Sequence, residues 1–151
     1  MPYERLITSN RIKPQQPNPR EINQLIQLAR RDLATAVRNL EDAPDWAYSI
    51  AYNSILQAAR ALMFSSGYRP RGGEQHATVV EFTEERLGIT FTEQVRLFDQ
   101  MRRKRHRVIY EIAGSVSKSE AEQAITFAKD FVSKITEMIT GQSSLGVLSN
   151  S

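Results

Sequence analysis

All six prolines of this 151-residue chain lie at or before Pro70. Beyond that point apolar residues recur every three or four positions and β-branched runs are few, a pattern that sheets do not produce. Glycines fall between the periodic segments, at Gly67, Gly72, Gly73, Gly88, Gly114 and Gly141, and so read as punctuation. Five helices are predicted. The first spans about 19–41, with Asn18 as N-cap, Pro19 at the first helical position and Glu21 placed for a capping box. Its apolar face is Ile22, Leu25, Ile26, Ala29, Leu33, Val37 and Leu40. The second runs from Pro44 or Asp45 to Ser66 and is closed by Gly67. Trp46, Ile50, Ile55, Leu62 and Phe64 are its expected core residues, and its alanines allow close helix approach. The third covers about 74–87, the fourth starts after Thr90 or Thr92 and continues to 113, and the fifth covers about 117–140 behind a Ser117–Glu120 capping box. The expected fold is an all-α, up-and-down bundle of about five helices. It occupies 19–141, between a flexible N-terminal segment, 1–18, and a flexible C-terminal tail, 142–151.

Composition works mainly by exclusion. The chain has no cysteine, hence no disulfide framework, thiolate metal site or cysteine nucleophile. Two histidines, His76 and His106, and no HExxH pattern argue against a protein-only zinc site, so neither metal nor cofactor is expected. No apolar stretch approaches the roughly 20 residues that span a bilayer, and 1–19 lacks the hydrophobic centre of a signal peptide. A soluble cytoplasmic protein without membrane contact is expected. The net charge of +3 is a mild excess; its clustering is more informative.

The cluster is Arg102-Arg103-Lys104-Arg105-His106-Arg107, inside the fourth helix rather than in a tail. On a helical wheel Phe91, Val95, Phe98, Met101, Val108, Ile109 and Ile112 share one broad face, and Arg105 falls near its middle. A guanidinium centred on an apolar stripe is costly unless it is paired, lines a cavity or meets an anion at an interface. Arg102, His106 and Tyr110, spaced i, i+4, i+8, form a polar ridge beside that stripe, with Arg103 and Arg107 close by. Arginine forks and an imidazole on one ridge suit a phosphodiester; the plainer alternative is a solvated basic face. The loop Gly67-Tyr-Arg-Pro-Arg-Gly-Gly-Glu-Gln-His76 offers Arg69, Arg71 and His76 to phosphate, but comes after a helix and lacks P-loop order, so nucleotide hydrolysis is unsupported. His76 also reads simply as a helix-start residue that caps or packs. The acidic residues form no paired-carboxylate pattern, and neither histidine has a serine-nucleophile context.

The block from Ala51 to Tyr68, Ala-Tyr-Asn-Ser-Ile-Leu-Gln-Ala-Ala-Arg-Ala-Leu-Met-Phe-Ser-Ser-Gly-Tyr, resembles the second helix of HEPN domains, and the loop from there to His76 shares the resemblance. Arg102 to Glu111, then Ser117-Lys-Ser-Glu-Ala-Glu-Gln-Ala and Phe127-Ala-Lys-Asp-Phe, resemble that family's last two helices, so the likeness covers about 19–140. It implies a dimerising bundle, often found in toxin–antitoxin or defence systems and beside a nucleotidyltransferase. Active members are metal-independent endoribonucleases with an arginine, an adjacent polar residue and a later catalytic histidine, repeated across the dimer cleft. Arg105 matches the arginine, His106 the polar residue and Tyr110 the histidine position. With an ordinary pKa near 10, tyrosine is a poor general base at pH 7. Ile112 stands where the family's modified tyrosine is found, and cannot accept a nucleotidyl group.

Three readings are open. In the first, the chain is a homodimeric module binding RNA, a nucleotide or a partner protein, with a degenerate ribonuclease motif of weak or no activity. In the second it is an endoribonuclease toxin using Arg105 and His106. In the third it only docks an acidic antitoxin.

Overall fold

The computed structural model describes residues 3–110 and 115–141, the side chains of Ile109 and Tyr110 excepted. The chain runs α1 (Glu4–Thr8), β1 (Ile12–Pro14), α2 (Pro19–Asn39), α3 (Pro44–Ser65), β2 (Tyr68–Pro70), α4 (Gln75–Leu87), a 3₁₀ turn (Ile89–Phe91), α5 (Thr92–Tyr110) and α6 (Lys118–Thr140). The five long helices are those read from the sequence, and the all-α bundle stands. Both foreseen caps form: Asn18 Oδ1 accepts from the Arg20 and Glu21 amides, and Ser117 and Glu120 make a complete capping box. Glu21 itself is drawn away from the cap, accepting from Gln15 Nε2 at 3.2 Å. The expected extension of α5 to 113, and the tail 142–151, lie outside the described residues.

α3 is the central helix. α2 and α6 pack along its length, and α4 and α5 cover its remaining sides. Tyr52, Ile55, Leu62 and Met63 of α3 are sealed from solvent together with Phe98 of α5 and Phe131 of α6. Phe98 sits between the Tyr52 and Phe131 rings, at centroid distances of 5.9 and 6.2 Å. This aromatic column fixes the height at which α5 crosses α3, and thereby where Arg105 arrives.

Three expectations are corrected. Residues 4–14 are not a flexible tail but α1 and β1: Leu6 and Ile12 are buried, and Tyr3 stacks on Phe82 at 4.2 Å. β1 pairs antiparallel with β2, Ile12 opposite Pro70 and Pro14 opposite Tyr68. Both strands are edges, where a proline's missing N–H is tolerated. Arg11 ties the segment to α4, donating from Nε to Thr78 Oγ1 at 3.1 Å and pairing with Glu81. Trp46, expected in the core, is 52% exposed. It shares a wheel face about 60° wide with Asn53, Gln57 and Arg60, the least buried line of α3. Val37 is also exposed, because the inward line of α2 runs through Ile22, Leu25, Ala29, Asp32 and Ala36. Asp32 accepts that burial by pairing with Arg31 at 3.0 Å.

Candidate anion-binding site

The basic run is divided among different tasks by the turn of α5. Arg102 and Arg103 both pair with Asp99, at 2.9 and 2.8 Å. Lys104 points the other way, pairing with Glu120 at the start of α6 and lying over the Tyr48 ring. Arg105 turns inward: its guanidinium carbon lies 5.7 Å from the Tyr52 ring centroid. Its Nε is buried and has no hydrogen-bond partner among the described residues. A cation over a tyrosine face is stabilised by about 0.5–2 kcal/mol, but a π-face does not accept the in-plane N–H groups of a guanidinium stacked on it.

Arg105 lines a cavity of about 260 Å³ with Asn53, Gln57, Arg60, Gln75 and His76, above a floor of Leu56, Pro70 and Val79. None of these lining residues is acidic. Arg60, half-buried, donates to Gln57 Oε1 at 2.9 Å, and its pKa is lowered by burial and by the neighbouring Arg69. His76 stands at the start of α4, exposed overall, with Nδ1 3.2 Å from the Tyr52 hydroxyl. Burial lowers the imidazole pKa first, then the fields of Arg105, Arg60 and Arg102. A histidine held below 6.5 is neutral at pH 7, with one ring nitrogen able to accept a proton. Tyr52, whose pKa burial raises, remains a neutral hydroxyl.

His76 also borders a second, outer basin of about 760 Å³, lined by Glu74, Ala77, Arg102, Arg103, His106 and Arg107. Consecutive residues on a helix diverge by about 100°, so Arg105 and His106 open into different cavities, and His76 is the side chain common to both. The chain's two histidines therefore line one basin, an arrangement their separation of 30 positions concealed. Glu74, immediately before α4, adopts φ 54°, ψ 42°, a left-handed conformation that costs a non-glycine residue about 1–3 kcal/mol. No side chain caps the first turn of α4, and Gln75 and His76 of that turn line the inner cavity.

Of the other sequence candidates, Arg69 and Arg71 are exposed and line neither cavity; Arg69 donates to Gln15 Oε1 at 2.9 Å, and the Arg71 amide donates to the Arg11 carbonyl. The Tyr110 side chain and Ile112 lie outside the described residues. Tyr52, Asn53, Gln57, Arg60 and Gln75 were not singled out from the sequence. The signal was there for three of them: Asn53, Gln57 and Arg60 are polar residues at i, i+4, i+7 on an otherwise buried helix. Among the described residues, no group of three or more His, Asp or Glu side chains could hold a metal ion, and no helix is long and apolar enough to cross a membrane.

The fold is an all-α bundle with basic cavities where its central helix meets α4 and α5. The family model described as the HEPN domain matches residues 22–138, and the chain belongs to the HEPN family, a family of nucleotide- and RNA-binding, ribonuclease-like domains. No curated protein matches the chain.

Proposed function

We propose that this HEPN protein binds RNA or a nucleotide through the Arg60–His76–Arg105 cavity, as a cytoplasmic homodimer of a toxin–antitoxin or defence system whose ribonuclease motif is degenerate. One observation carries the reading. Two half-buried arginines face a cavity with no carboxylate among its described lining residues, Glu21 acting on Arg60 only from outside that lining, and Arg105 keeps a buried Nε donor unused. Structural arginines in such positions are normally neutralised by a carboxylate, since an unpaired buried cation is strongly unfavourable. A phosphate group supplies both the charge and the acceptors. Tyr110 in place of the motif histidine supports weak or absent turnover, and a partner nucleotidyltransferase or antitoxin belongs to the same reading.

The test is binding of a labelled single-stranded RNA at several salt concentrations. The logarithm of the affinity should fall linearly with log salt, with a slope of about −0.7 per phosphate contacted, and Arg105→Met should weaken binding at least tenfold. Absence of RNA and nucleotide binding at low salt would leave the third reading, docking of an acidic protein.

A second reading, metal-independent cleavage, is favoured by the shared basin of His76 and His106 beside three arginines. Two imidazoles can serve as base and acid in phosphodiester transfer, so the pair to test is His76 with His106. Chelator-resistant cleavage abolished by His76→Ala and by His106→Ala establishes it; intact RNA after prolonged incubation excludes it.

A further inference from the structure

Resting on the reading of the cavity as a phosphate site, we infer that the inner cavity is an end-recognition site: it takes a phosphate monoester, the terminal phosphate of an RNA or a free nucleotide, rather than an internal phosphodiester.

Charge matching is the first reason. Arg60 and Arg105 bring two positive charges to a cavity lined, among the described residues, by no acidic side chain, Glu21 acting on Arg60 from outside the lining. A diester carries one negative charge and would leave one guanidinium uncompensated. A monoester carries about −1.5 to −2 at pH 7 and matches both. The cost of leaving a half-buried cation unpaired grows as solvent is displaced, so the second charge has most effect when the ligand is seated.

Donor supply is the second. A terminal phosphate presents three oxygens instead of the two free oxygens of a diester. Arg60 and Arg105 line the cavity with their charged forks, Asn53 and Gln75 bring neutral amide donors to it, and the dipole of α4, whose uncapped first residues Gln75 and His76 line the same cavity, favours an anion there.

Shape is the third. At about 260 Å³ the cavity falls below the roughly 300–1,000 Å³ of sites that enclose a whole drug-sized ligand. Leu56, Pro70 and Val79, all buried, line it beside the polar groups, so it has room for a terminal group rather than for a run of nucleotides. Past His76 the outer basin continues with Arg102, Arg103, His106 and Arg107, a track for the next phosphates of a chain whose first phosphate is seated inside.

The experiment compares one short labelled RNA in three forms (5′-phosphorylated, 3′-phosphorylated and hydroxyl at both ends) with AMP and inorganic phosphate as competitors, all on the full chain. At least one phosphorylated form should bind ten times more tightly than the hydroxyl form, and Arg60→Gln and Arg105→Met should each erase that difference. AMP competing as strongly as the phosphorylated RNA identifies a free nucleotide as the source; RNA binding far more tightly identifies a strand end. Equal affinity for all three RNAs overturns the inference and leaves RNA binding itself intact, whereas no binding of any RNA or of AMP overturns both. Because the comparison is between ligands on the unaltered protein, it decides the matter even if a variant fails to fold. A preference that persists in both folded variants places the phosphate elsewhere and also overturns it.

Discussion

Replacing Arg105 with methionine should stabilise the protein while weakening its ligand binding. Methionine keeps the length and most of the apolar stem of arginine, so the space beside Tyr52 remains filled. What disappears is a buried Nε donor without a partner, a defect worth about 1–3 kcal/mol. The cation–π contact with Tyr52, at 5.7 Å, is lost as well; it contributes about 0.5–2 kcal/mol. A thioether beside the same ring restores about 0.3–1.5 kcal/mol. The balance favours the variant by about 1 kcal/mol, or roughly 2–4 °C in Tm for a chain of this size. Thermal and urea unfolding at matched protein concentration measure it, the matching holding any self-association equal between the two proteins. The same preparation should bind RNA at least tenfold more weakly. A variant destabilised by about 1 kcal/mol or more would refute the reasoning, because the guanidinium would then be a satisfied structural tether rather than a charge held ready for a ligand.

Further outcomes rest on the same geometry. Proton NMR should show His76 titrating below the ordinary 6.5, and Arg105→Met should move it upward by removing a neighbouring positive field; a downward shift contradicts the electrostatics. Since the folded pKa is depressed, the fold has its full stability from this group above pH 6.5 and loses it as pH falls through the lower folded value, which a pH series of unfolding midpoints on wild type and His76→Gln resolves. Phe98→Ala, removing a fully buried ring from between Tyr52 and Phe131, should cost about 3–5 kcal/mol in urea unfolding, and a cost under about 1 kcal/mol would mean that the column does not hold α5 in place. Leu6→Ala should cost about 2–5 kcal/mol if α1 belongs to the core, and next to nothing if the segment is dispensable.

The bundle was legible because each long helix carries its own period and its own stops: Asn18 and Ser117 cap as their residue types demand, and Gly67, Gly88 and Gly141 close helices at φ of 92°, 76° and 69°. α1 and β1 were not, because a five-residue helix and a three-residue strand hold no full period. What orders them is a pairing with β2 across more than fifty residues of chain, and no local pattern encodes that. Arg105 was conspicuous as a charge on an apolar stripe. Its surroundings were not, because Asn53, Gln57, Arg60 and His76 come from two other elements whose meeting with α5 is a tertiary fact. Trp46 misled for a related reason: hydrophobicity alone does not reveal that one face of the most buried helix is left open for a polar cavity.

The most direct measurement tracks the Arg105 Nε–Hε resonance by ¹H–¹⁵N NMR while terminally phosphorylated RNA is added. The proton should shift saturably, with a midpoint equal to the dissociation constant found by fluorescence, and His76 should take up proton affinity in step as the anion offsets its cationic neighbours. RNA that binds with the same constant while both signals stay unmoved would show that the anion is received somewhere else on the molecule.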